Sequence, residues 1–371
     1  MRKAFSLLLL ATTIVASYAN DYITLADSVD KSPVVGASVI SSNGLIIGIT
    51  DENGQISVQK SDYPLSLRCL GYEASTVDQS DVDSILMLPA TYSLSEIVVS
   101  PADRPITRVV TYAREYCTGA TTTDTLQLYC DYMLEYFFAD GKVKGYSKSH
   151  QLPNSLNYRR YGRIANADGL DSIMRPKSDD DVSTLSFLQN MAFVPYDQKE
   201  LTDTLKAGAT SDTIQGKYFP KFIYRLNNGF FTIDCDALSD YKNHSFSPWF
   251  FKILGLTMDM QEAYWTLIYK QNESGKYGIN DFISGTYNMH ILGKGKLLKK
   301  MLGVQDAIHM NCYIEQYPVE IEHLTVEEYK ELKKTYYERT EKFRVPANLQ
   351  PLAPAIQSLI DRVNLELPIN K

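Results

Sequence analysis

Three dipeptides, Asn53-Gly54, Asp140-Gly141 and Asn228-Gly229, each interrupt a run of strand-like residues. They constrain the fold because Gly accepts the positive φ that a tight chain reversal demands. Around the first of them, Leu45, Ile47 and Ile49 alternate with Ile46, Gly48 and Thr50, and Ile56 and Val58 alternate with Ser57 and Gln59. A period of two on both sides of a short polar insert predicts a β-hairpin, with Asp51 accepting backbone N–H bonds to cap the turn. A calcium loop would need spaced carboxylates and a distal Glu, which do not follow Asp51.

More short strands follow. Leu65, Leu67 and Cys69 alternate with Ser66 and Arg68; then come Gly71-Tyr72, the run from Ser84 to Leu88, and Ile97 to Val99. Several strands with turn signals and no helical pattern predict a small sandwich. The stretches Pro33 to Val39, Gly48 to Ile56, Leu65 to Tyr72 and Leu94 to Val99, in that order, resemble the carboxypeptidase-regulatory-like domain. This is a transthyretin-like β-sandwich common in exported Bacteroidetes proteins. Its motif positions are Gly36, Thr50, Asp51, Gly54, Gly71 and Tyr72, with Ile56 standing where an aromatic is usual. The segment "YITLADSVD" lacks the Gly of the family's first strand and is expected at most as an edge strand. The resemblance implies a fold and no catalytic residues. In carboxypeptidases the domain accompanies a zinc peptidase; in TonB-dependent receptors it precedes the plug and barrel.

Beyond residue 100 the texture changes. Pro101 and Pro105 mark a linker, and Ile106, Val109, Val110 and Ala113 follow helical spacing, so residues 105–118 are expected to form an amphipathic helix. Hairpins are expected around Asp140-Gly141, around Asn228-Gly229 and within "EAYWTLIYKQNESGKYGINDFISG", with "AIHMNCYIEQYPVEIEHL" as a closing strand or pair. Helices are expected over 180–191, 246–255 and 325–340, the last opened by a Thr325/Glu328 capping box, and from Pro354 onward. The 26 Tyr against 2 Trp suit half-buried pleated surfaces. The expected fold class is mainly β with some helices. Residues 20–100 would form the sandwich, and residues 101–371 an antiparallel β-rich α+β domain built on a curved sheet or half-barrel.

Residues 1–19 read as a secretory signal: Arg2 and Lys3, an apolar core from Phe5 to Val15, and small residues Ser17 and Ala19 before the cut. That core is too short to span a membrane, and no transmembrane segment is expected after its removal. Losing two bases takes the formal charge from −7 to −9, which argues against nucleic acid as a partner. Five Cys at irregular spacing do not frame a disulfide fold. Cys117 and Cys130 could pair in an oxidising compartment, whereas Cys69 reads as a small buried residue.

No convergent chemistry stands out. No His-Glu-x-x-His or Gly-x-Ser-x-Gly occurs. His309 and Cys312 fall on opposite faces of a strand-like run, and the five histidines are expected to be separate. Ser57-x-x-Lys60 and Ser239-x-x-Lys242 lack the companions of the lactamase pattern. The run Asp179-Asp180-Asp181 reads as a solvated helix start, and Gly293 to Lys300 as a solvated basic loop. Asp234 and Asp236 share a strand face around Cys235 and, with His244, are the least weak catalytic candidates.

No cofactor or metal is expected. The sequence points to an exported, non-enzymatic binding or assembly protein of the periplasm or outer membrane, the cell surface included. Its partner would be a protein or a small apolar or glycan ligand. The alternatives are a carrier of lipid or lipoprotein and a hydrolase of undescribed type.

Overall fold

The computed structural model describes residues 21–79, 82–91, 103–139, 142–146, 154–175, 209–215, 221–227, 229–239, 244–245, 256–275, 277–296, 307–335, 338–347 and 349–368. The chain is mostly β, as its composition implies. Two small sheets come first. One joins β1 (Asp21–Asp27), β4 (Gln55–Val58) and β7 (Ser84–Met87) in the order β4-β1-β7. The other joins β2 (Ser38–Ile40), β3 (Ile46–Ile49), β5 (Leu65–Arg68) and β6 (Ser75–Val77) in the order β3-β2-β5-β6. Their inner faces share one core: Ile23 and Leu25 from β1 and Met87 from β7 pack with Val39, Leu65 and Leu67 from the other sheet. A strand pair cannot stand alone in water, so the two layers stabilise each other through this apolar contact.

Two expectations are corrected here. The turn at Asp51–Gly54 does not close a hairpin: β3 pairs with β2, and β4 pairs with β1 in the other sheet. The turn chemistry is as expected, since Asp51 Oδ1 accepts from the N–H of Asn53 (2.9 Å) and Gln55 (2.8 Å). Such chemistry reverses the chain but does not say which strand lies across. β1 is the central strand of its sheet, not an edge, and its pairing with β7 is parallel. Gly71-Tyr72 forms a turn with an isolated bridge from Tyr72 to Pro89, and β6 follows it. Residues 94–99 lie outside the described residues.

The larger body is a curved, open sheet of ten strands in path order, with an eleventh off the path. The path is β11-β10-β9-β8-β18-β17-β16-β14-β13-β12. Its long strands are β8 (Ile106–Ala120), β9 (Asp124–Ala139), β10 (Asn154–Asn166), β16 (Leu256–Lys270), β17 (Phe282–Gly295) and β18 (Ile308–Leu324). Shorter are β11 (Asp171–Met174), β12 (Ser211–Gln215), β13 (Lys221–Asn227) and β14 (Phe230–Asp236); β15 (His244–Ser245) pairs with β16 off the path. The hairpins β13-β14 and β16-β17 match expectation, and Gly229 takes φ 82° in the first.

The expected helix at 105–118 is instead β8. Its residues from Arg108 to Gly119 are all buried, and a strand buried on both faces loses the period of two that betrays a half-exposed one. Residues 142–146 are not a strand; β9 pairs with β10 instead. Asp171–Met174 form β11, which pairs with β10. The expected helices at 180–191 and 246–255, the Asp140-Gly141 turn and the Asp179-Asp180-Asp181 run lie outside the described residues.

Two helices follow expectation. α1 (Val326–Lys334) is shorter than foreseen but carries the capping box: Thr325 Oγ1 accepts from Glu328 N–H (3.2 Å), and Glu328 accepts from Thr325 N–H (2.8 Å). Its Tyr329 packs edge-on against Phe137 of β9, with ring centroids 5.3 Å apart. α2 (Pro354–Glu366) buries Ile356, Leu359 and Val363 against Tyr116, Tyr129, Tyr161 and Tyr313 of the sheet.

The sandwich is fastened onto one face of the large sheet. Asn288 of β17 donates from Nδ2 to Gly36 O (3.3 Å), and Asn311 of β18 donates to Ile46 O (3.2 Å). Tyr116 donates its hydroxyl to Gly44 O, and Ile40 and Ile46 join the tyrosine cluster beneath α2.

Candidate functional site

The two faces of the large sheet differ in chemistry, because side chains alternate along every strand. The face toward the sandwich carries buried charge. Glu315 of β18 is 2 % exposed and lies between Arg68 of the sandwich (2.6 Å) and Arg114 of β8 (2.5 Å). Tyr313 and Tyr317 donate hydroxyls to the same carboxylate at 2.6 and 3.0 Å. Burial alone would raise the Glu315 pKa, but Arg114 and Arg68 override it and hold the carboxyl well below the usual range. A carboxylate this fully donated to is a structural clamp. A second cluster pairs Arg108 with Glu135 (2.6 Å) and Glu341 (2.7 Å), and Arg339 with Glu135. In a third, Arg159 pairs with Asp131 and lies over the Phe343 ring at 4.1 Å.

Asp234 and Asp236 fall on this sandwich-facing side, and the register sets His244 apart from them. Asp234 is 4 % exposed; it accepts from Thr266 Oγ1 (2.7 Å) and pairs with Arg225 (2.8 Å). Asp236 accepts from the N–H of Leu238 (3.0 Å) and Ser239 (2.9 Å), closing the turn after β14. His244 stands opposite Met260, whereas Asp236 stands opposite Tyr264, about 13 Å further along β16 at the strand rise.

The motif residues of the sandwich have backbone roles. Thr50 Oγ1 donates to Val34 O (2.6 Å) and accepts from Ala37 N–H (2.9 Å). Gly54 has φ 72°, and a Cβ there would sit 2.3 Å from Leu25 O. Gly36 has φ 74°, and a Cβ there would meet Tyr264 Cε1 of the large sheet at 2.2 Å. Tyr72 donates its hydroxyl to Asp27 Oδ2 (3.0 Å), while Gly71 supplies the turn before it with φ 93°.

His309 and Cys312 do lie on opposite faces, His309 exposed and Cys312 buried in the apolar core. The histidines are not all separate, however. His290 of β17 and His309 of β18 have ring nitrogens 3.2 Å apart. Burial and then His309 lower the His290 pKa to about 4. Glu262, the ladder partner of His290, is pushed up to about 7 by burial and by Asp236.

The opposite face is mainly apolar and aromatic from β9 across to β12. Leu128, Cys312, Met289, Leu267, Ile233 and Tyr224 mark its course through successive strands. Trp265 stacks on Tyr287 at 5.8 Å between ring centroids, and Phe231 stacks on Tyr277 at 4.1 Å. Polar side chains are buried within it: Glu115 of β8 and Arg160 of β10, at 2 and 4 % exposure, oppose Cys130 of β9 from its two sides, and Gln316 of β18 donates to Thr111 of β8 (2.8 Å). Cys117 and Cys130 are both free thiols; Cys117 faces Cys312 across the β8-β18 ladder. Cys69 is partly buried against the sandwich core, and burial pushes its thiol up to about 12.

No family model matches the chain, and no curated protein matches it. Among solved structures, one titled "lipid-protein interactions in lipovitellin" aligns with TM-score 0.31 and 9 % identity, covering 67 % of this chain and 27 % of that one. A low-pH structure of Pseudomonas putida OprB aligns with TM-score 0.14 and 11 % identity, covering 58 % and 93 %. At these scores neither likeness carries an argument. No helix among the described residues is long and apolar enough to cross a membrane.

Proposed function

We propose that the chain is an exported, non-enzymatic binding protein of the cell envelope that holds an apolar ligand, of the acyl-chain class, along the apolar face of its open sheet. The asymmetry of that sheet supports this. One face is committed to the sandwich through buried ion pairs, while the other is a buried layer of mainly aliphatic, aromatic and methionine side chains. Methionine and aromatic rings adapt to flexible hydrocarbon, and open half-barrels bind ligands in their concavity. The charge-start, apolar-core and small-residue pattern of residues 1–19 supports export. The motif order of residues 33–72 supports a carboxypeptidase-regulatory-like sandwich acting as a docking module.

A protein partner is the second reading. Tyr22 (63 % exposed) and Leu86 (49 %) lie on the outer side of the three-stranded sheet and offer such a docking surface. Hydrolysis is disfavoured by the separation of Asp234, Asp236 and His244 along the ladder.

The test uses Trp265. With Trp249→Phe leaving it as the single indole, brominated acyl chains added to the full chain quench its fluorescence saturably, and lipid extraction of the purified protein followed by mass spectrometry yields acyl species. Absence of both overturns the acyl-ligand reading. Loss of partner capture in a Tyr22→Asp/Leu86→Asp variant, with no quenching in either form, transfers support to protein docking.

A further inference from the structure

The apolar face also holds a compact group of thiol and carboxylate side chains. Cys117 and Cys312 stand directly across the β8-β18 ladder, and Glu115 precedes Cys117 on the same face of β8. Their ligand atoms, two Sγ and a carboxylate oxygen, all lie within 4.8 Å of one another, and all three residues are buried. We propose that Glu115, Cys117 and Cys312 bind a thiophilic divalent metal ion of the Zn2+ class through two thiolates and one carboxylate.

Geometry favours this. Tetrahedral zinc places sulfur and oxygen ligands about 3.5–3.8 Å apart, given metal–sulfur and metal–oxygen bonds of about 2.3 and 2.1 Å. Cys117 already donates its S–H to Glu115 Oε1 at 2.9 Å, so closing on an ion requires a small outward shift of side chains. The backbone positions are fixed by paired strands in mid-sheet, which suits a site whose ligands must be held rigidly.

Charge also favours it. Two thiolates and a carboxylate carry three negative charges inside an apolar layer, a prohibitive burial without cations. A divalent ion supplies two positive charges, and Arg160, buried in the same row of the sheet across Cys130, supplies a third. Binding the ion as two thiolates releases the two thiol protons. Oxidation of the two cysteines to a disulfide is the competing chemistry. It would strip Glu115 of the S–H that donates to it, while leaving the carboxylate buried. The site does not depend on the acyl-ligand reading.

The experiment uses the full chain, isolated under reducing conditions, stripped with chelator and loaded with Co2+ as a spectroscopic probe. One equivalent of Co2+ is expected to give thiolate-to-metal charge-transfer absorption and an intense tetrahedral ligand-field band. Bound Zn2+ is expected to protect two of the five cysteines from alkylation. Cys117→Ser and Cys312→Ser lose the charge-transfer band, Glu115→Gln weakens binding at least about tenfold, and Cys130→Ser leaves it unchanged. The proposal is overturned by Co2+ spectra without charge transfer, by equal alkylation of all cysteines with and without Zn2+, by binding indifferent to Cys312→Ser, or by a Cys117–Cys312 disulfide in the reduced preparation. The wild-type protection count stands even where a cysteine variant fails to fold.

Discussion

Single residues carry the charge economy of this protein, and Glu315 is the clearest case. Its carboxylate neutralises two guanidiniums from different bodies, Arg68 and Arg114. Glu315→Gln leaves both arginines buried and facing each other, so chemical denaturation should show a loss of about 3–5 kcal/mol. Because the Glu315 pKa is depressed, its stabilisation is present above the ordinary carboxylate value and is lost as pH falls below it.

Glu262 and His290 act in opposite senses. Glu262 is raised from 4.5 to about 7, so its burial costs stability progressively as pH rises through that window, up to about 3 kcal/mol. His290 is lowered from 6.5 to about 4, so stability is lost as pH falls between those values. The two slopes overlap and partly cancel in the wild type. Glu262→Gln should therefore be more stable than wild type at pH 8 and should reveal a rise in thermal midpoint from pH 4 to 6.5. A variant with unchanged pH dependence would refute the raised Glu262 pKa. None of these groups stands out in the sequence, because an isolated Glu or His carries no local mark of the strand that will lie opposite.

At the scale of elements, short-range chemistry was legible and partner choice was not. The Thr325/Glu328 box and Pro354 announce α1 and α2 because caps satisfy orphan N–H groups within one turn of chain. Thr325→Ala should destabilise α1 by about 1 kcal/mol, seen as faster amide exchange in that helix while the central strands keep their protection. The turn at Asp51–Gly54 was equally visible, yet its flanking strands belong to different sheets. β8 resembles a helix in sequence because its two buried faces erase alternation, and the spacing of Ile106, Val109, Val110 and Ala113 then matches a helix by accident. Its high content of β-branched and aromatic residues was the signal available against a helix.

At the scale of the molecule, the sandwich and the sheet meet through polar and aromatic contacts and not through a loose tether. Gly36 is the tightest point, where Tyr264 leaves no space for a side chain. Gly36→Ala should wedge the two bodies apart and split a single unfolding transition into two, read by calorimetry. One coincident transition at the wild-type temperature would show that the contact is dispensable.

The β-rich character, the reversals at Gly and the helix caps follow from the chain alone, because they rest on interactions among residues close in sequence. The candidate site does not. Glu115 and Cys117 meet Cys312 only because β18 inserts between β8 and β17, and Arg68 reaches Glu315 only because the sandwich folds back onto the sheet. Contacts between distant segments depend on strand order, which is chosen by how all apolar faces are buried at once, and no local pattern encodes that choice.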